Sequence, residues 1–141
     1  MKTTTTRLMI TTALLALATG VASAQTLKAD IPFAFRAGSK LMGPGRYTVR
    51  LTSREHTMVI LANYASKESA MVLAGGPTAA PKEWTNSGDP VLAFECAAGR
   101  CALSQIYTGF SDAVLPVPHA KPAGGEQASV TLIHMSRANG D

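Results

Sequence analysis

The sequence is poor in the residues that build most catalytic and metal-binding motifs. Its 141 residues include 2 cysteines, 3 histidines and 9 acidic side chains. We find no nucleophile elbow, Ser-x-x-Lys pair, His-Glu-x-x-His motif, phosphate-binding loop or EF-hand spacing. Asp30, Glu95 and Asp112 can converge only through the fold, and nothing in their spacing predicts that they do. We therefore expect a protein that is not an enzyme and that holds no cofactor and no metal ion.

The sequence also lacks an apolar run long enough to span a bilayer. Its N-terminal run, residues 8–18, is about half of the roughly 20 residues that a spanning helix needs. Lys2 and Arg7 precede this run, and Ala22-Ser23-Ala24 follows it as a small-residue cleavage pattern. This layout predicts a helical secretory signal peptide over residues 1–24. The predicted localisation is therefore periplasmic or secreted, with no membrane span after cleavage.

The positive charge of the chain is modest once this leader is removed. The remaining segment, 25–141, is long enough for one β-rich domain with a modest hydrophobic core. Loss of Lys2 and Arg7 lowers the basic residues from 13 to 11 against 9 acidic ones, so the formal net charge falls from +4 to +2. A charge this small, spread along the chain, does not indicate a nucleic-acid partner.

The two cysteines lie close together in the stretch FECAAGRCAL. Strand-like runs flank them, and residues 97–100 form a four-residue loop that contains a glycine. In an exported protein this arrangement predicts a structural disulfide between Cys96 and Cys101 across a β-hairpin. Free or labile thiols are one alternative, and a metal site that recruits two distant histidines is another.

The register of this hairpin follows from the opposed cysteines. Phe94 should lie opposite Leu103, and Leu92 opposite Gln105, all on the face that carries the cysteines. One face is then clearly more apolar than the other, as a half-buried hairpin requires.

Seven short runs of strand-forming residues are separated by turn signals. We predict strands over residues 26–35, 46–53, 57–63, 68–75, 90–96, 101–108 and 128–136. The second run alternates cleanly, with Tyr47, Val49 and Leu51 on one face. The third and fourth runs are apolar on both faces, which predicts central strands covered on both sides.

The remaining segments carry little periodicity. Residues 75–90 are predicted to be a long loop, and residues 109–128 a Pro/Gly-rich segment with at most a short strand at 113–115. No helix is predicted beyond the signal peptide. The fold class is therefore all-β, a compact antiparallel sandwich or small barrel of about seven short strands.

Three side chains are weak candidates for ligand contact. Arg46 and Arg50 share a strand face, which fits either a strip that contacts phosphate, acidic polysaccharide or lipid headgroups or an ordinary solvated face. Trp84, in the long loop, fits either stacking on a sugar or peptide, with Tyr64 nearby, or capping of the core. His134 is expected to be partly buried in the closing strand, while His119 is expected to lie in a loop with no role.

Two motifs carry a resemblance to a known group. The segment ADIPFAFRAGSKLMGPGRYTV contains an "IPF-F" strand at residues 31–35 and, at residues 44–49, the stretch PGRYTV, a strand entry of the "PxGxYxV" type without the residue between proline and glycine. With the later stretch LAFECAAGRCALSQIYTG, the chain resembles small exported proteins of unknown function from Acidobacteria and related soil bacteria. The resemblance implies an exported, β-rich single domain, and it supplies no catalytic residue.

The function that these observations favour is a non-catalytic envelope or secreted module for binding or assembly. The expected partner is another envelope protein or a polysaccharide. A carrier of a small apolar ligand in a barrel interior is the first alternative. A hydrolase whose residues are assembled from separate strands is the second.

Overall fold

The computed structural model describes residues 26–52, 58–121 and 127–138. The predicted signal peptide, 1–24, lies outside these residues, as do His56 and the part of the Pro/Gly-rich segment at 122–126.

The described chain forms two β-sheets and one short helix. The bounds are β1 Thr26–Ile31, β2 Phe35–Ala37, β3 Lys40–Met42, β4 Gly45–Leu51, β5 Met58–Asn63, β6 Ser69–Leu73, β7 Thr78–Ala79, α1 Lys82–Ser87, β8 Val91–Ala97, β9 Arg100–Tyr107, β10 Ala113–Pro116, β11 Ser129–His134 and β12 Ser136–Arg137. Sheet A has the order β12-β1-β4-β5-β6. Sheet B has the order β11-β8-β9-β10-β7, and the β2–β3 hairpin joins it through β9. The all-β prediction is confirmed, and over the described strands the two open sheets fit a sandwich and do not close into a barrel.

The strand count and one strand pairing differ from the prediction. Twelve short strands are described where about seven were predicted, and β2 runs parallel to β9 in an otherwise antiparallel fold. The predicted first strand, 26–35, is wrong because the chain leaves sheet A at Ile31 and enters sheet B at Phe35. Pro32 lies at this crossing, where its missing N–H removes a donor from the strand ladder.

The core lies between the two sheets and is built around aromatic side chains. The rings of Phe35 and Tyr47 meet edge to face at 5.3 Å, and those of Phe35 and Phe94 at 5.2 Å. All three side chains are fully buried. The alternation predicted for β4 is confirmed, since Tyr47 and Val49 face this core while Arg46 and Arg50 face solvent.

The prediction that residues 68–75 form a strand covered on both faces is wrong. β6 is the last strand of sheet A, and only one face of this sheet reaches the core. Ala70 and Val72 are buried there, whereas the side chains of Met71 and Leu73 are 64% and 63% exposed. Apolar composition alone therefore did not distinguish an edge strand from a central one.

The prediction of a featureless loop over 75–90 is also wrong, because this segment contains β7 and α1. Pro81 stands at the start of α1, a position where proline is compatible with a helix. The helix ends at Gly88, which has a positive φ of 68° and donates its N–H to the carbonyl of Trp84 at 2.9 Å. A helix of six residues leaves too short a pattern for periodicity to reveal it.

The disulfide hairpin is confirmed, with one local difference. Cys96 and Cys101 are bonded, and Phe94 lies opposite Leu103 as predicted. Beyond that pair the predicted register is wrong, because Leu92 lies opposite Ile106. Ser104 is the extra residue of a β-bulge, and its hydroxyl donates to the carbonyl of Ala93 at 3.0 Å.

Candidate functional site

An open cleft of about 960 Å³ lies beside the disulfide, and we call it the hairpin cleft. Three parts of the chain line it: the turn between β8 and β9, the β2–β3 hairpin, and the segment 119–121. Its charged and titratable lining side chains are Arg36, Glu95, Arg100, His119 and Lys121.

The first wall is a tight turn rather than the four-residue loop that was predicted. Ala97 pairs with Arg100, so only Ala98 and Gly99 form the turn. Both have positive φ, 49° and 75°, which is the backbone of the two-residue turns that match the twist of a hairpin. The turn presents Arg100 to the cleft.

The second wall depends on the parallel pairing of β2 with β9. Phe35 lies opposite Cys101 and Arg36 opposite Ala102, so the β2–β3 hairpin is held beside the disulfide. Phe35 is buried in the core and fixes this strand, while Arg36 is exposed and lines the cleft. The Arg36 guanidinium donates to the carbonyl of Ser39 at 3.3 Å.

The third wall is the chain that follows β10. Val117 is buried, and its N–H donates to the carbonyl of Ser104 at 2.8 Å. Pro116 and Pro118 flank Val117 and restrict its backbone. This anchored segment places His119 against Glu95 on β8.

The side chains of His119 and Glu95 are close enough to share a proton. The two acceptors around the ring are the Val117 carbonyl, 2.9 Å from Nδ1, and the Glu95 carboxylate, 2.6 Å from Nε2. A carbonyl only accepts, so Nδ1 carries a hydrogen, and the short contact at Nε2 requires a second one. The pair is therefore an imidazolium with a carboxylate, or an imidazole with a carboxylic acid.

The surroundings of the ring favour the imidazolium. Burial would lower the pKa of His119, but the hydrogen bonds to the Val117 carbonyl and to the Glu95 carboxylate raise it further than burial lowers it. The net effect places the pKa of His119 above its ordinary value. The side chains of His119 and Glu95 are 19% and 29% exposed, so water screens this pair only partly.

The fixed charges of the cleft are mostly positive. Arg36, Arg100 and Lys121 are all exposed at its rim. The carboxylate among the described lining residues is that of Glu95, which is hydrogen-bonded to His119. Among the described residues that line the cleft, these three cations have no further acidic partner, although the segment 25–141 as a whole is close to neutral.

The residues predicted from sequence lie elsewhere. Arg46 is paired with Asp30 on the outer face of sheet A at 3.1 Å, and both side chains are largely exposed. Arg50 lies on the same face of β4. Tyr64, 79% exposed, lies beside Arg46 in a shallow second depression rather than near Trp84.

Trp84 packs against the body of the protein, as the capping alternative supposed. Its ring lies 5.9 Å from that of Tyr107, in a small cluster with Val91 and Val114. The side chain is half-buried. This packing explains how the short helix α1 is held on sheet B.

Asp30 and Asp112, the two other carboxylates considered from the sequence, do not lie with Glu95. Asp30 is on sheet A with Arg46, and Asp112 lies at the start of β10, where its carbonyl accepts from Ala80 at 2.9 Å. The expected partial burial of His134 is wrong, because β11 turns Thr131 and Ile133 toward the core and leaves His134 exposed. Of the two described histidines, it is His119, predicted to have no role, that contacts a carboxylate.

Over residues 26–52, 58–121 and 127–138, no three His, Cys, Asp or Glu side chains come together as metal ligands would. The same residues contain no helix with the length and hydropathy needed to cross a bilayer. No protein-family model, curated protein or solved structure matches this chain.

Proposed function

We propose that this protein is an exported, non-catalytic binding module and that the hairpin cleft is its ligand site. The observation that carries the proposal is the group of cations Arg36, Arg100 and Lys121 around the pair His119–Glu95. Charged side chains that converge on an open cleft, held by a covalently closed hairpin, form a preorganised surface for a polar ligand.

Export is supported by two separate features. The N-terminal layout predicts a signal peptide, and a disulfide persists in oxidising compartments. The predicted partner remains an envelope protein or a polysaccharide. Membership in the group of small exported soil-bacterial proteins stays a prediction.

A binding role is favoured over catalysis by the state of His119. Both ring nitrogens already hold a partner within the protein, at Val117 and at Glu95, so service as a general base would first require one of these hydrogen bonds to break. The carrier alternative gains no support, since Phe35, Tyr47 and Phe94 fill the space between the sheets where an apolar ligand would have to lie.

Nuclear magnetic resonance tests the proposal directly. The full chain is produced with its own leader, recovered from the periplasm and exposed to glycans and proteins extracted from the envelope. We expect backbone shifts around Gly38, Gly99 and Ala120, which line the cleft. Arg100→Ala should remove these shifts, while Arg50→Ala, an exposed arginine on sheet A, should leave them unchanged.

Mass spectrometry of the protein from the cytoplasmic and the periplasmic fractions of the same cells tests export. We expect a chain that begins at Gln25 and is two hydrogens lighter than its reduced form. Shifts confined to the depression at Arg46 and Tyr64 would refute the cleft as the ligand site. A chain that retains Met1 would refute export.

A further inference from the structure

We propose that the hairpin cleft binds an acidic oligosaccharide through its carboxylates, and that binding requires the proton shared by His119 and Glu95. This inference rests on the proposed function and adds the ligand class and its control.

The positive charge at the rim of the cleft favours a negatively charged ligand. Arg36 comes from β2, Arg100 from the β8–β9 turn and Lys121 from the segment after β10. Guanidinium groups bind carboxylates through paired hydrogen bonds, and such bonds are stronger than those between neutral groups. Because the three cations stand on three separate walls, a ligand with repeated negative charges can contact more than one of them.

The lining of the cleft favours a saccharide over an acidic peptide. Among the described residues that line it, Leu41 is the large apolar side chain, and most of the others are alanine, glycine or serine. Peptides gain most of their binding energy from bulky side chains inserted into pockets, which this surface does not offer. Sugar hydroxyls and carboxylates instead need hydrogen-bonding groups, which the charged rim supplies.

The lining also lacks an aromatic ring among its described residues. Neutral sugars commonly gain affinity by stacking on such rings, so charge must supply most of the affinity here. We therefore expect an uncharged oligosaccharide of the same length to bind much more weakly than an acidic one.

The proton shared by His119 and Glu95 controls the charge of the cleft floor. With the proton, the pair is neutral overall; without it, the pair carries one negative charge among Arg36, Arg100 and Lys121. Loss of this proton also leaves Nε2 of His119 and the Glu95 carboxylate as two hydrogen-bond acceptors 2.6 Å apart. Their repulsion loosens the segment that carries Lys121. Both effects weaken anion binding as pH rises through the pKa of His119.

Calorimetric titration of the full, exported chain with trigalacturonate tests the inference. The probe's carboxyls stay ionised from pH 5.5 to 8.5. We expect proton uptake on binding and an affinity that falls about tenfold across this range. Arg36→Ala and Arg100→Ala should each weaken binding by about tenfold at every pH, and Arg50→Ala should not.

The variant Glu95→Gln distinguishes an effect of the His119–Glu95 proton on affinity from a general loss of folding. Its side-chain amide donates to Nε2 without any added proton, so the neutral pair persists at high pH. We expect this variant to keep its affinity for trigalacturonate up to pH 8.5. An affinity of the unmodified protein that is flat across the pH range would overturn the role of the proton.

Different outcomes contradict the proposed ligand class and the proposed function. If galactotriose or tetraglutamate perturbs the cleft amides as strongly as trigalacturonate does, the cleft remains a ligand site but the acidic saccharide is wrong. If envelope ligands bind and shift only residues outside the cleft, the proposed function itself is wrong.

Discussion

Two residues of strand β8, Val91 and Glu95, lie on the outer face of sheet B and are covered by different kinds of contact. At one end Trp84 covers Val91 and its cross-strand partner Tyr107, so the covering contact is apolar and packed. At the other end Glu95 lies under His119, so the covering contact is polar and holds a proton. The two positions are four residues apart on one strand, which places both side chains on the same face.

The two contacts differ in how strongly they depend on pH. Apolar packing depends little on pH, and it fixes α1 against the sheet. The polar contact leaves an open cleft beside it and changes its strength with protonation. We infer that the Trp84 end maintains the fold while the His119 end is free to serve binding.

The largest expected effect comes from removing the centre of the apolar end. Tyr107 is fully buried, so Tyr107→Ala should lower the free energy of unfolding by about 3–5 kcal/mol, as other large-to-small aromatic changes do. Urea denaturation followed by circular dichroism measures this. The control Tyr64→Ala removes an exposed ring and should change little. Equal effects of the two substitutions would abolish the distinction between a packed end and an exposed one.

A smaller effect is expected from opening the covalent link at the polar end. The double variant Cys96→Ala, Cys101→Ala should lose about 2 kcal/mol of stability, since the closed loop is short. Reduction of the unmodified protein should give a similar loss. The native fluorescence of Trp84, the one tryptophan in the sequence, should stay unchanged because the disulfide is at the other end of β8. A fluorescence change in the folded double variant would show that the two ends are coupled.

The pH dependence of stability should be smaller still and should come from the polar end. His119 has a higher pKa folded than unfolded, so its contribution is fully present below the unfolded pKa. That contribution is lost as pH rises through the folded pKa. Urea midpoints between pH 6 and 9 should therefore fall, and His119→Asn should flatten the fall. A midpoint that rises over this range would contradict the assigned hydrogen bonds.

The smallest expected effect concerns the turn itself. Ala98 has a φ of 49°, a region that asparagine adopts more readily than alanine. Ala98→Asn should raise the unfolding free energy by about 0.5 kcal/mol, because the left-handed region is costly for most side chains. Thermal denaturation measures the gain, with Ala120→Asn as an exposed control in the same cleft. A destabilised Ala98→Asn variant would contradict this account of the turn.

The sequence predicted features that local pattern controls. β4 was correct because one of its faces meets the core and the other meets water, and the hairpin was correct because its cysteines face each other. The edge position of β6 was missed because it depends on the order of strands in the sheet. The bulge at Ser104 was missed because one extra residue leaves no mark on an apolar pattern.

The candidate site was largely invisible in the sequence. Glu95 and His119 are 24 residues apart, and only the fold brings them together. The path of the chain after β10 sets this contact through the burial of Val117 and its bond to Ser104. Neither motif nor spacing encodes such a meeting of a loop with a strand, whereas the predicted arginines Arg46 and Arg50 were visible because they share one regular strand.

The pairing of β1 with β12 constrains the order of assembly. Leu27 pairs with Arg137, so a strand that is synthesised early lacks its partner until more than a hundred further residues have been made. Until β12 is synthesised, one edge of β1 in sheet A has no strand to pair with. The closing pair of sheet A can therefore form only after almost the whole chain is available, so β1 is the strand that gains its second neighbour last.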